Sequence, residues 1–244
     1  LPLKEGNNNV DTVFETQNLC RLMCGNWGSL WPKPTGACIL EKSTNSINVN
    51  QIRFEYPDIK MDKDQRDFYD QITFLYLKNL NDECGTTCSM PSKNEMFIRL
   101  RVNNPSLALI AKTNESYLLN VSSTETQIFA HITAETIFGI RHGLETLSQL
   151  ATRVLDSNNR IGLVMISNAY ISDKPAYQHR GLLVDSARHF IPATTILKIL
   201  DGMSINKMNV FHWHVTDSQS FPMETKRLPQ MHLTGAFSAE KVYK

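Results

Sequence analysis

Two stretches in the last quarter of the sequence decide how it is read: Arg180-Gly-Leu-Leu-Val-Asp185 and Met208-Asn-Val-Phe-His-Trp-His-Val215. The first is a short apolar run ending in a carboxylate, which predicts a buried strand. The second is a further strand, followed by the polar residues Thr216-Asp217-Ser218-Gln219. Between them, Pro192 and Thr194 can start a helix with Ile196, Leu197, Leu200 and Met203 on one stripe. The result is a β-α-β unit. Parallel strands covered by helices carry their chemistry at the C-terminal strand ends, and Asp185, Arg188, His214 and Asp217 fall there.

Upstream the pattern differs. Phe68, Ile72 and Leu75 predict an amphipathic helix from Lys63 to Leu80, and Met96–Val102 alternates as a strand. Tyr117–Val121 and Gln127–Ile132 alternate too, and Ser122-Ser123-Thr124 between them predicts a hairpin. A second helix has Thr133 as its cap, Glu135 in its first turn, and Ile137, Ile140, Leu144, Leu147 and Ala151 on its apolar stripe. After the turn Ser157-Asn-Asn-Arg160, Ile161–Ile166 is again apolar, and Ser172-Asp-Lys-Pro175 punctuates the chain. Leu30-Trp-Pro-Lys-Pro-Thr-Gly36 looks like a strip docked on a core by two anchors, behind an Asn-rich opening. The expected organisation is an α+β domain over residues 1–174, a sheet with helices on one face, followed by a new domain from 175 to 244.

With 25 Lys+Arg against 24 Asp+Glu, 41% hydrophobic and 20% charged residues, the chain has an ordinary globular composition. No basic surface for nucleic acid is expected. No apolar run approaches the roughly 20 residues of a membrane span, and the opening Leu1–Asn9 lacks a signal-peptide layout. The five cysteines, Cys20, Cys24, Cys38, Cys84 and Cys88, lack nearby histidines and zinc-like spacing, so disulfides in an oxidising compartment fit better than zinc. One cysteine is left over, buried or directed to a partner. Asn114-Glu-Ser116 and Asn120-Val-Ser122 are glycosylation triplets.

Arg188 follows a strand tip, so its planar fork can serve either a salt bridge to Asp185 or two neighbouring sugar hydroxyls. Alternation puts His212 and His214 on one strand face, where with Asp217 they could hold a metal. Strand histidines more often hydrogen-bond backbone or carboxylate, and no third histidine has ligand spacing, so neither a metal nor a cofactor is expected. Asp82-Glu83 abuts Cys84 in a polar turn and reads as a solvated pair. No nucleophile elbow, zincin motif or phosphate loop is present.

Arg180–His189, followed by Lys207-Met-Asn-Val-Phe-His-Trp-His-Val-Thr-Asp-Ser-Gln-Ser-Phe-Pro222, resembles the start of the catalytic barrel of family 20 glycoside hydrolases, the β-N-acetylhexosaminidases. Phe138–Leu150, Glu115-Ser-Tyr117 and Ser29–Thr35 resemble the α+β domain that precedes it. Thr216–Pro222 and Lys226-Arg-Leu-Pro229 look more like the insect members than the vertebrate lysosomal ones. The resemblance implies the first two strands of a (β/α)8 barrel, and retaining, substrate-assisted removal of terminal β-linked N-acetylglucosamine or N-acetylgalactosamine from glycans or chitin oligomers. It assigns Arg188 to the 3- and 4-hydroxyls of the terminal sugar and Asp217 to orienting a histidine beside the acid, with His214 supporting Asp217 and with Asp185 and Arg180 as scaffolding.

A full barrel takes about 250 residues, and the family's Asp-Glu pair lies several strands further on. The expectation is therefore a second polypeptide that completes the barrel in a dimeric, secreted or lysosomal enzyme. A non-catalytic carbohydrate-binding or regulatory fragment is the alternative, and a metal-dependent hydrolase is less favoured.

Overall fold

The computed structural model describes residues 17–56, 60–86 and 88–244; the Asn-rich opening, apart from its last residues, lies outside them. The chain divides into two units, Leu1–Ala176 and Tyr177–Lys244. In the first, α1 (Gln17–Met23), β1 (Cys38–Leu40), β2 (Thr44–Ile47), a 3-10 turn (Val49–Gln51) and β3 (Ile52–Glu55) precede the long α2 (Lys63–Cys84). Then come β4 (Glu95–Asn104), β5 (Tyr117–Ser123), β6 (Gln127–Thr136), α3 (Ile137–Gln149), β7 (Ala151–Leu155), β8 (Ile161–Ile166) and β9 (Ala169–Asp173).

Six strands form one sheet in the order β1-β9-β5-β6-β4-β3, and β2-β8-β7 form another. Alternation sets the sheet's buried face. Ile98 and Leu100 of β4, Leu119 and Val121 of β5, and Ala130 and Ile132 of β6 are all buried, together with Ile137, Ile140 and Leu147 of α3. Two glycines let the helix approach: a Cβ on Gly139 would lie 2.5 Å from the Ser116 carbonyl oxygen, and one on Gly143 would lie 2.5 Å from Ile132 Cγ2.

The hairpin stands where its alternation put it, with β5 and β6 antiparallel. The expected start of α3 at Thr133 does not hold. β6 keeps its ladder with β4 as far as Asn104 opposite Thr136, so strand pairing claims Thr133 and Glu135 and the helix begins at Ile137. Glu135 accepts a hydrogen bond from Asn103 Nδ2 at 2.8 Å instead of serving a helix dipole, and Ala151 belongs to β7.

On α2 the buried stripe is Tyr69, Ile72, Thr73, Tyr76, Leu80 and Cys84, whereas Leu75 is exposed. That helix starts at a capping box. Asp62 accepts from the Gln65 N–H at 2.8 Å, and the Gln65 side chain accepts from the Asp62 N–H at 3.0 Å.

Of the two anchors in the docked strip, Leu30 is buried and Trp31 is 67% exposed. Polar contacts hold the strip in place of the indole. Gln149 exchanges hydrogen bonds with the Trp31 backbone at 2.8 and 2.9 Å. The Thr35 N–H donates to Asp173 at 2.9 Å, and the Tyr117 hydroxyl donates to the same carboxylate at 2.9 Å. Ser172 and Asp173 thus lie within β9 and not in a punctuating loop.

Cys84 and Cys88 form a disulfide. Cys20 and Cys24 bring their sulfurs to 2.8 Å, and Cys38 stands apart in β1. Asp82 and Glu83 sit in the last turn of α2 and not in a polar turn, Asp82 paired with Lys78 at the surface. Among the described residues, no helix is long and apolar enough to cross a membrane.

The second unit contains β10 (Gly181–Asp185), α4 (Ala193–Ile205), β11 (Val210–His214) and the short α5 (Gln230–Gly235). β10 and β11 pair in parallel, with α4 as the crossover. The strand expected to be buried is buried only at Val184, while Leu183 is 56% exposed. Two paired strands leave two open edges and an uncovered face. On α4, Ile196 and Met203 are buried but Leu197 and Leu200 are exposed.

The fit of α3 on the sheet is testable. Gly139→Ala is expected to cost about 1–3 kcal/mol, as overpacking does, because the opposing atom is a backbone oxygen that cannot rotate away. A denaturant melt reads the loss, and an unchanged midpoint would contradict the close approach.

Candidate functional site

The site is built at the C-terminal ends of β10 and β11. In the parallel register Leu183 stands opposite His212 and Asp185 opposite His214, so these four share one face. Just past β10 the chain turns sharply. Asp185 Oδ1 accepts the Ala187 and Arg188 N–H groups at 3.1 and 3.2 Å, which directs the Arg188 side chain back over the strand tips. Past β11 a similar turn forms, with Asp217 Oδ1 accepting the Gln219 and Ser220 N–H groups at 2.7 and 3.1 Å. Two hydroxyls tie the loops together and to β11. Ser220 donates to the Ala187 carbonyl at 2.6 Å, and Trp213 Nε1 donates to Ser186 Oγ at 2.8 Å.

Arg188 lies across both strand ends. Its Nη1 reaches Asp185 Oδ2 at 2.7 Å and its Nε reaches Asp217 Oδ2 at 2.7 Å. The same Asp217 oxygen lies 3.4 Å from His214 Nε2. These two contacts use two of the five guanidinium donors, and the side chain is 58% exposed. The remaining donors are open to a ligand.

Of the two readings of Arg188, the geometry realises the salt bridge to Asp185, which together with Asp217 sets the direction of the fork. The Arg188 hydrogen bond and charge hold the Asp185 carboxyl below its usual range, and Asp185 in turn raises the Arg188 guanidinium. For Asp217, burial opposes ionisation but is outweighed by the N–H groups of Gln219 and Ser220, by His214 and by Arg188, so this carboxyl is lowered as well.

The ligand-capable atoms of Asp185, His214 and Asp217 lie within 4.8 Å of one another. This is not the His212–His214 pair that strand alternation suggested: His212 is exposed one step back along β11, beside a hollow of about 490 Å³ that Leu183 also lines. Arg188 already places a fixed positive charge on both carboxylates, where a metal would compete with it. Arg180 sits at the opposite end of β10, its Nε donating to the Lys207 carbonyl at 2.7 Å. The triplet asparagines are elsewhere: Asn114 lies before β5 and Asn120 within it, both exposed.

Sequence reasoning missed the Ser186–Trp213 and Ser220–Ala187 ties. It also missed the cluster in which the Tyr243 ring lies 4.8 Å from both Phe190 and Trp213. The signal for the Ser220 tie was present, since Asp-x-x-Ser after a strand is a turn-forming pattern.

Comparison with known proteins bears on what this geometry serves. Residues 177–244 match the glycosyl hydrolase family 20 catalytic domain, and residues 30–150 match the beta-acetyl hexosaminidase like domain. The chain belongs to glycoside hydrolase family 20. It is 37% identical over 230 residues to a chitooligosaccharidolytic beta-N-acetylglucosaminidase of Ostrinia furnacalis, covering 92% of this chain and 37% of that relative. It is 40% identical over 131 residues to the beta-hexosaminidase subunit beta of Mus musculus, covering 54% of this chain and 23% of that one. Among solved structures, the chitobiase of Flavobacterium johnsoniae is 27% identical with a TM-score of 0.64, covering 94% of this chain and 32% of that chain. The family 20 chain described here thus spans less than half the length of these relatives.

The ion network predicts a pH dependence. Both carboxyls are lowered in the folded state, so the contribution of their ionised form is complete above the ordinary Asp value of about 3.9 and is lost as pH falls through the lowered folded values. A carboxyl-carbon NMR titration should place Asp185 and Asp217 below that value. Titration of either at or above it would show that the network does not persist in solution.

Proposed function

We propose that this family 20 chain supplies the sugar-gripping edge of a β-N-acetylhexosaminidase site, and that the enzyme removes terminal β-linked N-acetylglucosamine or N-acetylgalactosamine. The observation that carries the reading is Arg188, anchored on Asp185 and Asp217 with its outer donors open. A planar fork presenting parallel N–H groups suits two vicinal hydroxyls, which a terminal sugar offers at its 3- and 4-positions. Asp217, held ionised by two backbone N–H groups, fixes both the fork and His214.

In the substrate-assisted retaining route the sugar's own acetamido oxygen attacks the anomeric carbon while a carboxylic acid protonates the leaving oxygen. In this reading the residues here bind and orient the terminal sugar, whereas the acid and the carboxylate that holds the acetamido group stand on further barrel strands. The uncovered face of β10 and β11 with Leu183 and His212 supports such a completion. A partner polypeptide carrying those strands is one way to provide it.

The Cys84–Cys88 disulfide supports an oxidising compartment, lysosomal or extracellular. Relatives named for chitooligosaccharides make chitin oligomers one candidate substrate class, beside N-glycans.

Arg188→Lys in the complete enzyme tests the reading, with hydrolysis of an aryl β-N-acetylglucosaminide as the assay. Each charge-assisted hydrogen bond lost is worth about 1.5–3 kcal/mol, so kcat/KM should fall by about one to two orders of magnitude with the melting temperature little changed. Wild-type turnover by that variant would remove Arg188 from the site. A chelator should leave activity intact, and loss of activity on chelation would favour the Asp185–His214–Asp217 cluster as a metal centre.

A further inference from the structure

We infer that Asn120 carries an N-linked glycan that covers the apolar half of the open face of the six-stranded sheet, keeping that face solvent-facing. The inference rests on the secretory-route reading above and adds where the sugar goes and what it shields. Helix α3 lies on one face of the sheet; the other face is a row of outward side chains. Ile39 of β1 stands opposite Tyr170 of β9, Tyr170 opposite Asn120 of β5, and Asn120 opposite His131 of β6. His131 in turn stands opposite Arg99 of β4.

The row changes character at Asn120. On one side Arg99, which pairs with Glu55 at 2.5 Å, and Arg101 bring charge to the face, beside the half-buried, stacked Phe97 and Phe129. On the other side Ile39 is 66% exposed, Tyr170 42% and Leu118, on the same face of β5, 36%. A contiguous exposed apolar patch on a sheet face invites association unless it is covered.

Asn is a poor strand residue, and the Asn120 side chain makes no hydrogen bond within the described protein. Its amide stands free at the border of the patch. Ser122, which completes the triplet, projects from the same face two residues on. The Asn114 triplet is different: its Oδ1 accepts the Ser116 N–H at 3.0 Å and the Ser116 hydroxyl at 2.7 Å, outside the patch.

Attachment uses a lipid pyrophosphate-linked oligosaccharide as co-reactant. Asn120 Nδ2 bonds to C1 of the first sugar, the C1–O bond to pyrophosphate breaks with its electron pair on the leaving oxygen, and the amide proton is released. The apolar faces of the first sugars can then lie on the Tyr170 ring, one strand spacing of about 4.8 Å away, and reach Ile39 one strand further.

The test begins with the protein isolated from its natural source, digested and treated with peptide:N-glycanase in heavy-oxygen water, so that each occupied asparagine becomes a labelled aspartate. Label at residue 120 is expected. Label at 114 alone overturns the inference and leaves the secretory reading standing; label at neither overturns the inference, and the secretory reading then stands or falls on whether mass analysis of the same digest finds Cys84 and Cys88 joined.

Where 120 is labelled, an endoglycosidase trims the sugars from the folded wild-type protein, which avoids any variant that fails to fold. Sedimentation should then show a severalfold lower onset concentration for self-association, with N-acetylhexosaminidase activity unchanged. Asn120→Gln and Ser122→Ala should both reproduce that shift. Unaltered sedimentation after trimming overturns the shielding role.

Discussion

The parallel register that sets Asp185 opposite His214 is the constraint on which the site depends. It brings two strand tips side by side, so that the carboxylate that ends β10 and the one in the loop after β11 can bind one guanidinium from both sides. A shift of one residue would turn the Asp185 side chain to the opposite face and leave Arg188 with a single partner. The fork's orientation is thus a consequence of backbone pairing, and the two turns that hold Asp185 and Asp217 complete it. An arginine that is always charged and planar does what lysine cannot, because its Nε and Nη1 serve the protein while donors remain for a ligand.

The same logic separates the two units. In the first, a sheet closed on one face by α3 gathers a large apolar core and spends its polar groups on internal ties such as Tyr117–Asp173–Thr35. In the second, the buried apolar set is small, and hydroxyl, carboxylate and guanidinium groups concentrate at the strand ends. Stability and chemistry are carried by different sequence grammars: strict alternation in one, short apolar runs ending in polar residues in the other.

Much of this was legible in the sequence. The hairpin, β4, β8 and the β10-α4-β11 unit follow from periodicity, and Asp185, Arg188, His214 and Asp217 were placed at one end of the strands by that reading alone. What was missed was set by non-local partners. Thr133 has the chemistry of a cap, but β4 extends far enough to hold it in a strand. Leu75 has helical spacing, yet the buried side of α2 is fixed by Tyr69 and Tyr76. Leu182 and Leu183 read as buried because a strand of that composition normally has neighbours on both sides. Trp31 looks like an anchor, and only Gln149, more than a hundred residues away, shows that the backbone is the part being held.

The most direct test of the central claim is a crystal structure of the complete enzyme with N-acetylglucosamine bound. The account predicts that Arg188 keeps Nε on Asp217 and Nη1 on Asp185 while its remaining donors reach two adjacent ring hydroxyls of the sugar. An Arg188 turned away from the sugar, or an ion seated among Asp185, His214 and Asp217 in its place, would contradict it.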